Sequence, residues 1–435
     1  MNGKPFLGSC VVIVIAFLSW RAGRLDFGAL SLHRNDSNHR SQSVTSFDTD
    51  ADLKSGERSG KHNLPSYNET HLQQWNQLIK NQFAGDQACV SCHQSQFQSH
   101  QRSGHSHTLA PMASTPLAKT LAKQASYDDS RRQQRFQFTL QNDDFQISTG
   151  NRVINVNWLM GSGKHAQTPI ATDSAGHQGV EIRLSAFGNP QQLELTPDHD
   201  RFDLFDTSSV ECFGRPMDSS DLRSCLGCHS TVIPPSALPL HSATMITNVG
   251  CERCHGPRQS HVISAREGRA ADVKPMVDFE TAQGYMQVCS SCHRDERSVR
   301  ADSPEKDHVR FQPYGLQRSR CYLESEGAMT CSSCHDPHDA TSTDRQAYIA
   351  RCQSCHSATR LATCPSPRRG DCIACHMPKV EWTAGIAFHD HHIQIPAAAG
   401  KSLVERYSTD ITGRANKDGA NEYSVTEIAA SQVQP

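Results

Sequence analysis

Seven short segments of this chain place two cysteines three positions apart, with a histidine directly after the second. They are Cys89/Cys92/His93, Cys225/Cys228/His229, Cys251/Cys254/His255, Cys289/Cys292/His293, Cys331/Cys334/His335, Cys352/Cys355/His356 and Cys372/Cys375/His376. This five-residue unit is the attachment signal for c-type haem. Two thiols on one tight turn can each form a thioether with a vinyl group of a single porphyrin, and the next imidazole can swing under the ring to the iron. Each unit thus supplies two covalent anchors and one axial ligand. The expected cofactor complement is seven covalently bound haem c groups.

Paired cysteines are also zinc ligands, and the gaps Cys334 to Cys352 and Cys355 to Cys372 fall in the zinc-ribbon window. Histidine decides between the two chemistries. It makes up 24 of 435 residues. By chance it would follow one given pair with odds of roughly 6%, and all seven with odds on the order of 10⁻⁹, whereas a four-cysteine zinc site requires none there. Thioredoxin-like redox pairs would need a βαβ pattern around them and would not recur seven times.

The elements that position these units read as short helices carrying or following each attachment block, joined by loops containing Pro and Gly. Six units lie between 225 and 376. A body of that size has a radius of gyration of roughly 15 Å, so broad planar groups inside it must lie close together. Between His93 and Cys225 apolar residues alternate at period two in Phe136/Phe138/Leu140, Ile154/Val156/Trp158 and Val180/Ile182/Leu184, with turn signals at 142–144 and 174–176. The expected fold class is mainly α with extensive loops, plus a small antiparallel β insertion between the first and second haem. The boundaries read as 1–24 signal peptide or N-terminal membrane anchor, 25–75 flexible linker, 76–130 first haem segment, 131–210 β-rich insertion, 211–395 six-haem domain and 396–435 C-terminal tail.

Composition agrees with a cofactor-built core. Only 36% of residues are hydrophobic and 6% aromatic, thin for this length, and large apolar macrocycles would supply the missing packing surface. Net charge is −2. Fourteen propionates would take the loaded protein to about −16 with ferrous and about −9 with ferric iron. Such an acidic surface, with its Lys and Arg scattered, excludes nucleic acid as a partner and suits redox proteins or a quinol-linked complex. Lys4 and the apolar run Phe6–Trp20 export the chain to a bacterial periplasmic or cell-surface site, either as a cleaved signal or as a tether to the inner membrane. Cys212, Cys321 and Cys364 lie outside the blocks, and the sequence selects no disulfide among them.

With the proximal histidines specified, the sixth iron position carries the functional question. Beyond the motif histidines and four in or near the linker, the chain offers His100, His105, His107, His165, His177, His199, His241, His261, His308, His338, His389, His391 and His392. That supply favours bis-histidine, low-potential haems. His338, three residues after His335, cannot easily reach the far face of the same ring and points to a neighbouring haem.

Longer stretches carry a resemblance. They are Cys251-Glu252-Arg253-Cys254-His255-Gly256-Pro257 with His261; Ser319-Arg320-Cys321 ahead of Cys331-Ser332-Ser333-Cys334-His335-Asp336-Pro337-His338; and Cys375-His376-Met377-Pro378-Lys379 with Asp390-His391. Together they resemble multihaem cytochromes of the c-552/c-554 kind, relatives of octahaem hydroxylamine oxidoreductase and pentahaem nitrite reductase. The likeness spans about residues 85–395. It implies a mainly helical, haem-stacked fold with distal ligands at His105, His261, His338 and His391. Seven units exceed the four of simple carrier members, and every unit ends in His, so the lysine-ligated catalytic haem of the nitrite reductases is missing.

The expected function is electron transfer between redox partners through closely packed bis-His haems, which requires no substrate pocket. The alternative is an oxidoreductase acting on nitrite, hydroxylamine or tetrathionate at one haem with an open distal position. His308, Arg310 and Tyr314 form the sequence cluster that such a site could use.

Overall fold

The computed structural model describes residues 69–395 apart from 189–191, 204–208, 278, 300–302, 357–369 and 384–385. The N-terminal apolar run, nearly all of the linker, the C-terminal tail, Cys10 and Cys364 lie outside the described residues.

Helices α1 (Glu69–Gln82) and α2 (Gln94–Arg102) flank the first motif. Strand β1 (Leu109–Pro111) follows, then α3 (Pro116–Gln124), whose start is set by Pro116 in the first turn and by Thr115 Oγ1 accepting Ala118 N–H at 3.1 Å. A meander of four antiparallel strands comes next: β2 (Ser126–Asp129), β3 (Gln134–Gln141), β4 (Asp144–Thr149) and β5 (Arg152–Val156). Phe138 faces Ile147 and Tyr127 faces Phe136 across it.

A second sheet has seven strands. Its spine is β1, β6 (Trp158–Met160), β7 (Ala166–Thr172), β8 (Gly179–Ile182) and β11 (Gly214–Met217). Strand β9 (Leu184–Phe187) pairs with both β7 and β10 (Gln192–Leu195).

The fold is therefore not mainly helical with a small β insertion: two extensive sheets occupy the stretch from 109 to 217. Alternation revealed β3, β5 and β8. It could not reveal β6 and β9, three and four residues long, because most of their side chains are buried whichever face they take. Strands covered on both sides lose the period-two signature. Arg183 also breaks the pattern. It is fully buried, and its Nε reaches Asp129 Oδ2 at 2.5 Å, its Nη2 Asp203 Oδ1 at 2.6 Å and its Nη1 the His199 carbonyl at 2.7 Å.

Packing divides the molecule. The sheets enclose an ordinary apolar core of Leu121, Phe136, Phe145, Leu159, Ile182 and Phe213 among others. A second cluster of Leu109, Trp158, Ile170, Leu222 and Leu226 joins them to α4 (Ser219–Cys228), the helix that ends on the second motif. From 251 onward, the buried apolar residues among those described are only Met286, Val309, Phe311, Leu316, Ile349, Ile373 and Ile386. That half cannot be held by side-chain burial alone, as expected where large apolar cofactors form the interior.

Candidate haem-attachment sites

Each motif is built on a single turn. Motif 1 follows from the 3₁₀ turn Asp86–Cys89, and motif 5 sits on the turn Cys331–Ser333. Motif 2 ends α4, and motif 3 is helix α5 (Cys251–His255). Motif 4 ends α7 (Ala282–His293), past α6 (Gln259–Arg266); after the short helices α8 (Glu305–His308), α9 (Gln312–Gln317) and α10 (Arg320–Leu323), motif 6 ends α11 (Arg345–Cys355), and motif 7 is α12 (Cys372–His376). Helical bonds such as His93 N to Cys89 O at 2.8 Å and His356 N to Cys352 O at 2.9 Å hold the turn closed. Residues three apart then share a face, so both thiols address one edge of a plate.

The anchors are not equally enclosed. None of the fourteen motif cysteines is in a disulfide, and the first of each unit is half-buried. Cys92, expected to anchor the first haem together with Cys89, differs from its partner: it is exposed, with its Sγ 3.8 Å from Ser91 Oγ, whereas Cys89 is half-buried. The physical reason is local. Motif 1 runs past the end of its 3₁₀ turn, so its second thiol lies beyond the residues, Gly85 and Asp86, that are bonded to motif 3. Cys334, Cys355 and Cys375, the second thiols of motifs 5, 6 and 7, are exposed in the same way, as are the imidazoles of His93 and His356. The five-residue spacing is identical in every unit, so it carried no sign of this difference.

The motif imidazoles are aimed by their second nitrogen. His229 Nδ1 bonds the Thr108 carbonyl at 3.0 Å, His376 Nδ1 the Gln394 carbonyl at 2.8 Å, and His293 Nδ1 the Gln312 Oε1 at 3.1 Å. His335 Nδ1 meets the Tyr348 hydroxyl at 3.3 Å. Engaging Nδ1 leaves Nε2 for metal and fixes the ring's orientation. None of these four partners was legible in the sequence, since two are backbone carbonyls and two are side chains distant along the chain.

Three motif imidazoles each lie near a second imidazole. His105 and His293 have ring centroids 6.2 Å apart, His255 and His338 6.1 Å with planes only 8° apart, and His335 and His391 6.3 Å. Two imidazoles bound trans to one iron, with Fe–N bonds of about 2.0 Å and about 1.1 Å from nitrogen to ring centre, have centroids about 6.3 Å apart. The gaps fit an iron. Burial, with His293 adding to it, pushes His105 down to about 4, and burial does the same to His391. Both therefore stand in the neutral, metal-ready form.

His261 lies on α6 with its Nδ1 buried and unbonded, and among the described residues no motif histidine ring packs against it. His391 bonds its own Nδ1 to the His389 carbonyl, and His389 does likewise to Met377 O. Among the described residues no three His, Cys, Asp or Glu side chains converge as a metal cluster. Cys212 and Cys321 are free thiols, and burial raises Cys212 to about 11.

The cluster of His308, Arg310 and Tyr314 divides. His308 packs edge-on against Tyr314 at 5.0 Å, and Tyr314 takes Arg318 Nη1 at 2.5 Å. Arg310 instead lies over Trp382 at 4.3 Å, lining a cavity of about 310 Å³ with Glu181, His199, Arg201 and Arg215.

Residues 206–256, which contain motifs 2 and 3, match the family model of cytochrome c554 and c-prime. The multihaem cytochrome MtrA of Shewanella baltica (strain OS185) is 26% identical over 183 aligned residues, covering 32% of this chain and 53% of that protein. The chain is a multihaem c-type cytochrome. Its cofactor is haem c. The cytochrome spans about half the length of that curated relative. The crystal structure of the outer cell wall cytochrome OcwA is similar over 76% of the cytochrome and 88% of OcwA, with 14% identity and a TM-score of 0.41. No helix among the described residues is long and apolar enough to cross a membrane.

Proposed function

We propose that the cytochrome carries electrons between redox partner proteins, in the periplasm or at the cell surface, through seven haems held at its seven motifs. Each bound haem supplies a one-electron ferric/ferrous couple. The chain's own residues do the rest: fourteen cysteines anchor, His93, His229, His255, His293, His335, His356 and His376 ligate from one side, and a second imidazole closes the other. His105 completes the site of His293, His338 that of His255, and His391 that of His335. The carrying observation is the set of three imidazole pairs at 6.1–6.3 Å, because a centre closed on both faces by nitrogen has no room for substrate and reorganises little on gaining an electron.

The test is mass spectrometry and EPR of the purified holoprotein. Seven attached haems, low-spin throughout and indifferent to nitrite, hydroxylamine and cyanide, are expected. A high-spin component that binds those species would favour the second reading, an oxidoreductase for a small nitrogen or sulfur species. That reading draws on the arginine-lined cavity, where Arg310 Nε is buried without a hydrogen-bond partner.

A further inference from the structure

The cavity of about 310 Å³ lies where four parts of the chain meet: the seven-stranded sheet, the turn His199–Phe202, the stretch between α8 and α9, and the antiparallel pair Lys379–Thr383 and Ile386–His389. Its size is at the lower end of small-molecule sites. No motif cysteine, motif histidine or paired imidazole is among its lining residues, which sets binding there apart from turnover at an iron. Three arginines and two carboxylates line it. Glu181 is engaged: its Oε2 accepts Arg215 Nε at 2.8 Å and lies 3.3 Å from His199 Nε2, while Arg215 Nη1 reaches Asp221 at 2.8 Å. The other carboxylate, Asp198, is exposed, as is Arg201. Arg310 makes ring contacts only among the described residues. Its Nε is buried without a hydrogen-bond partner, and its guanidinium lies over Trp382 at 4.3 Å and over Phe311 at 5.3 Å. Trp382 is itself fixed by its Nε1–H donating to Asp307 Oδ1 at 2.6 Å. Stacking holds the guanidinium in place and leaves its edge donors free to grip two oxygens at once. Burial outweighs the pull of Asp307, Asp198 and Glu181 and lowers the Arg310 pKa from its usual value, as for a cation the chain does not fully compensate. His199, 1% exposed, adds a second buried nitrogen, Nδ1, without a partner among the described residues. Phe187, Pro197 and Ile386 give the same cavity an apolar lining.

We propose that this cavity binds a carboxylate carried on a small apolar body, with the carboxylate on Arg310 and the body against Phe187 and Ile386, and that its occupant tunes the haem of motif 4. The second half rests on the electron-transfer reading above; the first does not. Phe311 carries the guanidinium of Arg310 and, at 5.2 Å, that of Arg294, the residue after His293. Gln312, the next residue, has its Oε1 3.1 Å from His293 Nδ1. A negative charge gripped by Arg310 therefore acts on the segment that orients the motif 4 imidazole, and it favours ferric over ferrous iron. Two sources share the ligand chemistry: a free organic acid, and a propionate arm of a bound haem. The second is within the chain's own means, since motif 2 adjoins the cavity through α4 and its Asp221–Arg215 pair, and motif 4 through residues 310–312.

The test is equilibrium dialysis of radiolabelled butyrate against the full-length holoprotein, oxidised and reduced, with a crystal structure of the holoprotein grown without carboxylate buffers. For a free acid, saturable binding is expected, weakened at least about tenfold in Arg310→Gln, which loses a charged two-point contact. Arg310→Lys keeps the charge without the fork and should fall between; it also carries the test should the glutamine variant lose its haem content by mass spectrometry. Binding should be about fivefold or more tighter to the oxidised protein, the lower range of coupling between sites. No butyrate binding, together with density for a haem propionate on Arg310, assigns the same chemistry to the haem source. A cavity that holds neither, butyrate binding unchanged in both Arg310 variants, or binding of sulfate but not butyrate overturns the proposal. Equal affinity of the oxidised and reduced protein overturns the link to motif 4. Absence of attached haem in the unmodified protein would overturn the electron-transfer reading instead, and butyrate binding reads separately from it.

Discussion

Glu252 should control whether the first attachment site stays docked on the third. Its side chain is 3% exposed, and it sits inside motif 3 between the two anchoring cysteines. One carboxylate oxygen accepts the N–H groups of Ala84 at 2.9 Å and Arg258 at 2.7 Å; the other accepts that of Gly85 at 2.8 Å. Glu252→Ala orphans all three donors. Hydrogen bonds to a charged group contribute roughly 1.5–3 kcal/mol each. Two of the three donors are only partly buried and recover some of that from water, so a total of about 3–5 kcal/mol is expected. The loss falls on local docking of 84–92, because the β core is elsewhere. Hydrogen exchange followed by mass spectrometry reads it directly. At about 1.4 kcal/mol per factor of ten, exchange across 84–92 should accelerate on the order of 10²–10³-fold, while peptides in β3 and β4 stay unchanged. Glu252→Gln, which keeps an acceptor, should fall between. Acceleration below tenfold in the alanine variant would refute the claim that this carboxylate pins motif 1 to motif 3.

Arg183→Met should destabilise the β region by about 3–5 kcal/mol, because it strands the buried carboxylate of Asp129; denaturant melts of sheet circular dichroism giving under 1 kcal/mol would contradict this. Arg131 first and Arg183 second hold the Asp203 carboxyl below its usual range, and bonds from His199 and Arg215 outweigh burial to hold Glu181 down as well. Depressed carboxyls stabilise the fold above their unfolded values near about 4 and lose that contribution as pH falls through the folded values. Thermal melts between pH 7 and 3 should therefore drop at the acid end, and drop less in Asp203→Asn; an unchanged slope in that variant would count against it. His338→Ala removes the imidazole facing His255 from a half-exposed position, so folding should survive while one haem turns from low-spin to high-spin in EPR; an all-low-spin spectrum would remove His338 from the ligand set.

The chemistry of this cytochrome was readable from local spacing, because two thiols and an imidazole within five residues are brought to one haem by a single helical turn. The extent of β structure was not readable: β6 and β9 are short and most of their side chains are buried, so burial erased the alternation that marks a half-exposed strand. Nor could the chain order predict that motif 1 docks on motif 3 and motif 2 on motif 4, or that Cys89 is half-buried while Cys92 is left exposed. Those neighbours depend on long-range bonds, among them Glu252 to the 84–85 amides and Cys228 Sγ to the Ser291 carbonyl, and on which imidazole lies about 6 Å, ring centre to ring centre, from which. The sequence by itself determined the cofactor chemistry, haem c, because attachment is a covalent and local matter. Only the tertiary structure decided which sites are neighbours, because proximity between distant segments is set by packing and by hydrogen bonds between groups that carry no mark in the sequence.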